Sequence, residues 1–287
     1  MTAIYRRELE SYFTGVIGYV MIAFILAIFG IYTTMICFNQ GYANFELVPY
    51  TVKYTFLITT PILSMRVLSE ERKQQTDKLL FSNAVEPGKI VVSKYLAMIT
   101  VLLIPMLIVC IYPLILSEFG RVSLLTSYSA MFGCFLMGAA LLAIGMFTSS
   151  LTDSQIVAAA LSFGMVLLAY LASDLNSIIS GSAVTALYGF TFLVAATAII
   201  TRFLTKSWYM GGIVAAVLEV ALLAVYFLAP DMVTAGLLGF IDAISVFDKM
   251  DTFKNGVFDL SAVFYYISVI GVFLFFSTQA LEKRRWG

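Results

Sequence analysis

Long apolar stretches separated by short charged ones dominate the chain. Eight of them read as membrane-crossing helices: 15–38, 51–68, 90–116, 124–148, 155–175, 178–201, 208–229 and 260–279. A helix of about 20 predominantly apolar residues crosses a hydrocarbon core of about 30 Å. The second stretch is the weakest. Lys53 stands near one end and Pro61 in the middle, which predicts a short or kinked helix. Residues 1–14 follow another rule: Ile4, Tyr5, Leu9, Tyr12 and Phe13 share one helical arc, while Arg6, Arg7 and Glu10 lie off it and Glu8 falls inside it. That pattern predicts an amphipathic helix lying in the membrane interface. Segment 230–259 is the longest stretch between spans on the far side. Its first half, Met232 to Phe247, is apolar but interrupted by Gly236, Gly239 and Asp242, which predicts a re-entrant or capping helix rather than a span.

Composition turns this pattern into a class. Of 287 residues, 61% are hydrophobic and 12% charged, against about 45–50% and about 25% in soluble domains. So few charges cannot cover a globular surface, and the expected fold is an all-α polytopic membrane protein built as a single transmembrane domain over 1–287. The apolar run Val16 to Phe38 is too long for a signal-peptide core and is expected to remain as the first span. Small residues four apart (Ser129/Gly133, Ala139/Ala143, Ala158/Ser162, Gly212/Ala216) allow helices to approach closely.

Charge sets the expected orientation. With an even number of spans both termini share one side, and thirteen of the seventeen Lys and Arg fall on it; only Lys53, Arg121, Lys249 and Lys254 fall on the other. Acidic residues divide evenly, with Glu219 inside a span. The positive-inside rule then places both ends in the cytoplasm.

Several chemistries are excluded. The chain has no histidine, which removes His-based acid–base catalysis, a Ser-His-Asp triad and His-ligated metal. Cys37, Cys110 and Cys134 lie far apart in apolar runs without metal-ligand spacing and read as small buried hydrophobes. No Gly-rich loop ending in Lys-Ser/Thr occurs, so no nucleotide site of that type is present. Neither catalysis, a metal nor nucleic-acid binding is expected of this chain.

The densest charge lies between Arg66 and Lys94. Ser69 to Phe81 reads as one short helix, with Glu70 and Glu71 in its first turn where the helix dipole favours acids. Lys73 and Asp77 are spaced to pair, Leu79, Leu80 and Phe81 form an apolar end, and Pro87-Gly88 stops the segment. A helix charged at one end and apolar at the other suits docking onto a soluble partner; the plainer alternative is a solvated loop whose cations only set topology. Glu70-Glu71 also invites comparison with two-carboxylate intramembrane proteases, but Gln75 stands where their motif needs Arg, and such enzymes need histidines.

Met65-Arg66-x-Leu68-Ser69-Glu70-Glu71-Arg72-Lys73, Thr76, Leu79-Leu80 and Lys94-Tyr95 together resemble the coupling-helix region of ABC type-2 exporter permeases, most closely the gliding-motility and nitrous-oxide-reductase-maturation branch. Arg7-Glu8-Leu9-x-Ser11-Tyr12-Phe13 resembles that family's interfacial helix. Ile144 to Ala158, with Thr148-Ser149-Ser150-Leu151-Thr152-x-Ser154-Gln155, resembles its turn between the fourth and fifth spans. Gly256 to Leu260 and Leu281 to Arg285 resemble the limits of its last span. The matches cover about residues 1–170 and 244–287. Gln75 and Ser93 stand where the family usually has Gly, and residues 178–229 look like an extra pair of spans inserted in its six-span pattern.

The resemblance implies the transmembrane subunit of an ATP-driven exporter in a bacterial inner membrane. Its ATPase-contacting residues would be Glu70, Glu71, Arg72, Lys73, Thr76, Leu79 and Leu80 of a coupling helix over 69–82, with the interfacial helix residues Arg6, Arg7 and Glu8 alongside. It implies two copies of a separate ATPase carrying ATP and Mg, a second permease copy or related chain, and an accessory membrane protein with an external domain. Two other readings stay open. Glu219 could serve a secondary or proton-linked transporter, since an ionisable group inside a span is a functional candidate, or the chain could be a non-transporting scaffold.

Overall fold

The computed structural model describes residues 1–39, 44–73, 75, 86–179 and 230–286, with isolated positions at 187, 189–191, 216, 219, 222–223 and 226. The described residues are helical and contain no strand. The chain forms two compact units, one of Met1–Leu168 with Val246–Gly287 and one of Ala169–Ser245.

The first unit begins with α1 (Thr2–Thr14), which ends where Gly15 takes an extended conformation, and α2 (Val16–Thr33), prolonged by a wider π-turn over Thr34–Phe38. Then follow α3 (Leu47–Val52), α4 (Phe56–Ser64) and α5 (Ser69–Lys73). Next come α6 (Pro87–Val109), α7 (Tyr112–Ser117) and α8 (Leu124–Leu151). The start of α9 (Gln155–Ile179) belongs to this unit, as do α11 (Met250–Lys254) and α12 (Leu260–Trp286). Pro87 opens α6 from the first position, where its missing N–H has no partner to lose.

Five described helices are long and apolar enough to cross a membrane: Val16–Phe38, Pro87–Ser117, Leu124–Leu151, Gln155–Ser173 and Leu260–Arg284. They coincide with the expected spans 15–38, 90–116, 124–148, 155–175 and 260–279. The expected pair 178–201 and 208–229 lies outside the described residues apart from the isolated positions.

The remaining expectation, 51–68, takes another form. Its interruption is a tight helical turn at Lys53–Thr55, between α3 and α4, while Pro61 sits inside an unbroken α4. Lys53 is buried; its ammonium lies 3.4 Å from Asp251 Oδ1 and 3.8 Å from the centre of the Tyr50 ring. A buried ammonium needs such partners. The tighter turn therefore falls where the cation is anchored to α11.

α8 forms the centre of this unit, packed by α3, α4, α6, α11 and α12. Small residues make that possible. A methyl group on Gly138 would stand 2.6 Å from the Phe56 ring, and one on Gly145 would collide with the Ser64 side chain. Backbone-to-side-chain approach of this kind is how helices associate where lipid supplies no hydrophobic drive.

In the second unit, α10 (Pro230–Ile244) is helical, and Leu237 and Ile241 pack with Ala172 against Phe190, Leu222 and Tyr226. The hydroxyls of Ser173 and Ser245 lie 2.8 Å apart. The expected re-entrant or capping segment is thus helical over its first half, ending at Ile244.

Candidate functional site

The charged segment, the N-terminal helix and the start of the third span meet in one place. α1 packs along α6, with the Tyr5 hydroxyl 2.9 Å from Thr100 Oγ1. The Tyr12 hydroxyl donates to Leu63 O over 3.2 Å, fixing the other end of α1 to α4. Burial raises the pKa of that hydroxyl well above its ordinary range, so it stays a donor.

Lys94 is the hub. Only 1% of its side chain is exposed, and its ammonium donates to Glu8 Oε1 at 2.9 Å and Val67 O at 3.0 Å, with Glu71 Oε1 also at 3.0 Å. Arg7 donates to the same carboxylates, at 2.7 Å to Glu71 and 3.1 Å to Glu8. Desolvation lowers the Arg7 pKa, but its bonds to Glu8 and its attraction to Glu71 outweigh that and raise it. Two cations and two carboxylates thus alternate across α1, α5 and α6. Burying charge is costly unless every charge is paired and hydrogen-bonded. Glu8, the acid that broke the apolar arc of the amphipathic helix, lies on that arc because Lys94 is beneath it.

A second set of bonds holds the turn leading into α5. Ser149 Oγ, on α8, accepts from Leu68 N and Ser69 N, each at 3.2 Å, and donates to Met65 O at 3.3 Å. One hydroxyl therefore satisfies two N–H groups at the start of α5, which have no partner within the helix itself. Arg66 donates from Nε to Glu70 at 2.9 Å. Asp153, in the turn after α8, accepts from Arg284 at 3.0 Å and lies 3.9 Å from Arg72, tying the end of α12 to α5.

The residues expected to meet an ATPase are therefore not equivalent. Glu71 and Arg72 are turned inward to partners within the unit, whereas Lys73 is exposed and Glu70 half-buried beside Arg66. On α1, Arg7 and Glu8 join the cluster, but Arg6 is exposed and pairs along the helix with Glu10 at 2.8 Å. Thr76, Leu79 and Leu80 lie outside the described residues. The helix read over 69–82 is helical over Ser69–Lys73, and Gln75 takes φ 54°, with its N–H donating to Arg72 O at 3.1 Å. A left-handed residue cannot continue a right-handed helix, and it is the conformation that favours Gly. Gln75 is the position at which the family resemblance expects Gly.

Lys94, Ser149, Arg66 and Asp153 were not named as site residues from sequence. Lys94 and Ser149 carried a signal: each stands within a resembling motif, and a lysine within an apolar helix requires a partner. Arg66 stands in the same resembling motif with Glu70 four residues on, whereas Asp153 had no such signal, since its partners Arg284 and Arg72 lie far along the chain. Glu219, in the second unit, accepts a hydrogen bond from Thr191 Oγ1 at 3.0 Å. Cys37 and Cys134 are buried and Cys110 is half-buried, all as free thiols, and no cluster among the described residues could hold a metal ion.

The cluster also walls an open cleft of about 280 Å³ between α1 and the turn into α5. Its chemistry is that of an electrostatic joint with no nucleophile–base pair.

Residues 21–179 match the model of a family described as ABC-2 family transporter protein. The chain belongs to this family. No curated protein and no solved structure matches it. The ABC-2 match runs from within α2 to the end of α9, including the whole turn into α5 and both Lys94 and Ser149. As an ABC-2 family member with apolar membrane-length helices, the chain is a membrane-embedded permease. Such permeases are transport components, and the family implies an ABC ATPase as partner.

Proposed function

We propose that this ABC-2 permease is the transmembrane half of an ATP-driven exporter of the gliding-motility and nitrous-oxide-reductase-maturation branch, in a bacterial inner membrane with both termini cytoplasmic. A separate ATPase, in two copies that carry ATP and Mg, docks at the segment from Glu70 to Leu80. α1 rides beside it, and a second permease copy or a related chain completes the membrane part. The observation that supports this most is the Arg7–Glu71–Lys94–Glu8 cluster, which ties the N-terminal helix, the charged segment and α6 together by ion pairs. A push on the segment then moves α6 with it rather than bending a loop, which is what coupling by rigid-body motion requires.

Capture of the tagged chain from its native membrane in mild detergent, followed by mass spectrometry, tests the reading. A stoichiometric ATP-binding subunit is expected, and Lys73→Glu, Glu71→Lys or Arg72→Glu should lose it while the chain still inserts. A monodisperse chain that captures no such subunit overturns the proposal.

The proton-linked alternative rests on Glu219. Its bond from Thr191 satisfies the carboxyl where it stands, which favours packing over a pathway. Glu219→Gln should leave transport unchanged across pH; a lost pH dependence would bring the alternative forward.

A further inference from the structure

The cleft beside the cluster brings both signs of charge together in one place. Arg7, Arg66 and Lys94 bring three positive charges to its walls, and Glu8, Glu70 and Glu71 three negative ones. Lys94 is fully occupied at the floor. Arg7 and Arg66 are more exposed, and their bonds to carboxylates use only Nη2 and Nε respectively. A guanidinium carries five N–H donors, so both retain donors for an anionic group. Yet a simple anion would also meet three carboxylates, and a simple cation three cations. A ligand with both charges a few ångströms apart can set each of them against groups of the opposite sign.

Depth narrows the class. α6 has 23 residues, or about 35 Å of helix at about 1.5 Å per residue, against a hydrocarbon core of about 30 Å. Its end turns therefore lie at headgroup level, and Lys94 stands two turns from Pro87. α1 lies across this end with its apolar arc inward and Arg6 and Glu10 outward, as an interfacial helix does.

The geometry points to a binding site for a phosphoethanolamine group in this cleft, with the phosphate against Arg7 and Arg66 and the ammonium against Glu8 and Glu70. The source is either the headgroup of phosphatidylethanolamine, its acyl chains in the bilayer beside α1, or free phosphoethanolamine. A lipid seated there would brace α1 against the turn into α5. The site does not depend on the exporter reading, which is decided by capture of an ATPase.

Native mass spectrometry of the detergent-purified chain tests it, with equal amounts of palmitoyl-oleoyl phosphatidylethanolamine, phosphatidylcholine and phosphatidylglycerol added. Retention of phosphatidylethanolamine is expected to exceed that of either other lipid about tenfold. Phosphatidylglycerol lacks the ammonium, and the trimethylammonium of phosphatidylcholine cannot donate to a carboxylate. Arg66→Gln and Glu70→Gln should each abolish the preference. Ser11→Trp, which fills the cleft from the exposed side of α1 without removing a charge, should do the same and covers the case in which a charge variant does not fold. Millimolar O-phosphoethanolamine separates the two sources: displacement of the lipid shows that the headgroup alone suffices, and persistence of the lipid assigns the site to the membrane component. Equal retention of the three lipids, or a preference that survives both Arg66→Gln and Ser11→Trp in monodisperse protein, overturns the proposal.

Discussion

α8 and α12 are membrane-length helices of closely similar mean hydropathy, yet 78% of the most apolar stretch of α8 is buried and only 17% of that of α12. In water such a contrast would follow from polarity. In a bilayer lipid tails are as apolar as any core, so polarity cannot choose which helix goes inside, and side-chain size does. α8 carries Gly133, Gly138, Gly145, Ala139, Ala140 and Ala143, and neighbours press against its backbone. α12 carries large aromatics and turns Phe264, Phe275 and Phe276 outward, keeping Tyr266, Ala262 and Ser277 within. Phe147 of α8 meets Phe273 and Phe276 with ring centres 5.8 Å apart. The contrast identifies α8 as the helix the unit is built on and α12 as one that borders its surroundings.

Four substitutions break or sharpen this contrast, from the largest expected effect down. Gly138→Leu drives a side chain into Phe56 and Leu102 and should destabilise by about 3 kcal/mol, the upper range for overpacking; thermal unfolding in detergent micelles would show a large fall in Tm or no folded protein. Ser149→Ala leaves the Leu68 and Ser69 N–H groups without their acceptor and should cost about 1–2 kcal/mol. Hydrogen exchange should rise first at those two amides, and ATPase capture should weaken. Arg284→Gln removes a pair on the more exposed side of the joint and should cost no more than about 1 kcal/mol, read by the same melting assay. Phe275→Leu on the outer face of α12 should stay within about 0.5 kcal/mol. If Phe275→Leu proves as damaging as Gly138→Leu, the outer face of α12 is a protein interface and the contrast fails.

The helices were the most legible part of the chain, because a span is a local property that twenty consecutive residues display by themselves. Five predicted spans reappear within a few residues at each end. The exception is instructive. Lys53 and Pro61 together predicted a short or kinked helix; of the two, the interruption came at Lys53, whose partner Asp251 lies almost two hundred positions away, and not at Pro61. The candidate site was legible as a charged segment but not as a joint. Glu71 and Arg72 were marked for an external partner, and the structure adds to each a partner within the unit that the segment alone did not reveal. The segment by itself does not show which of its acids also holds Lys94.

The sequence by itself determined the solvent in which this protein lives, the places where helices of spanning length run, and, through Arg66 to Lys73 and Ile144 to Ala158, the ABC-2 family to which it belongs. Each of these is carried by composition or by residues close together in the chain. Tertiary structure alone decided that α8 is central, that Glu8 faces Lys94 across 86 positions, that Arg7 reaches Glu71 across 64, and that Ser149 holds the turn into α5. The reason is physical. Helical periodicity is written every 3.6 residues, but a buried charge or an orphan N–H is satisfied by whatever group folding brings within about 3 Å, and that group has no fixed distance along the chain.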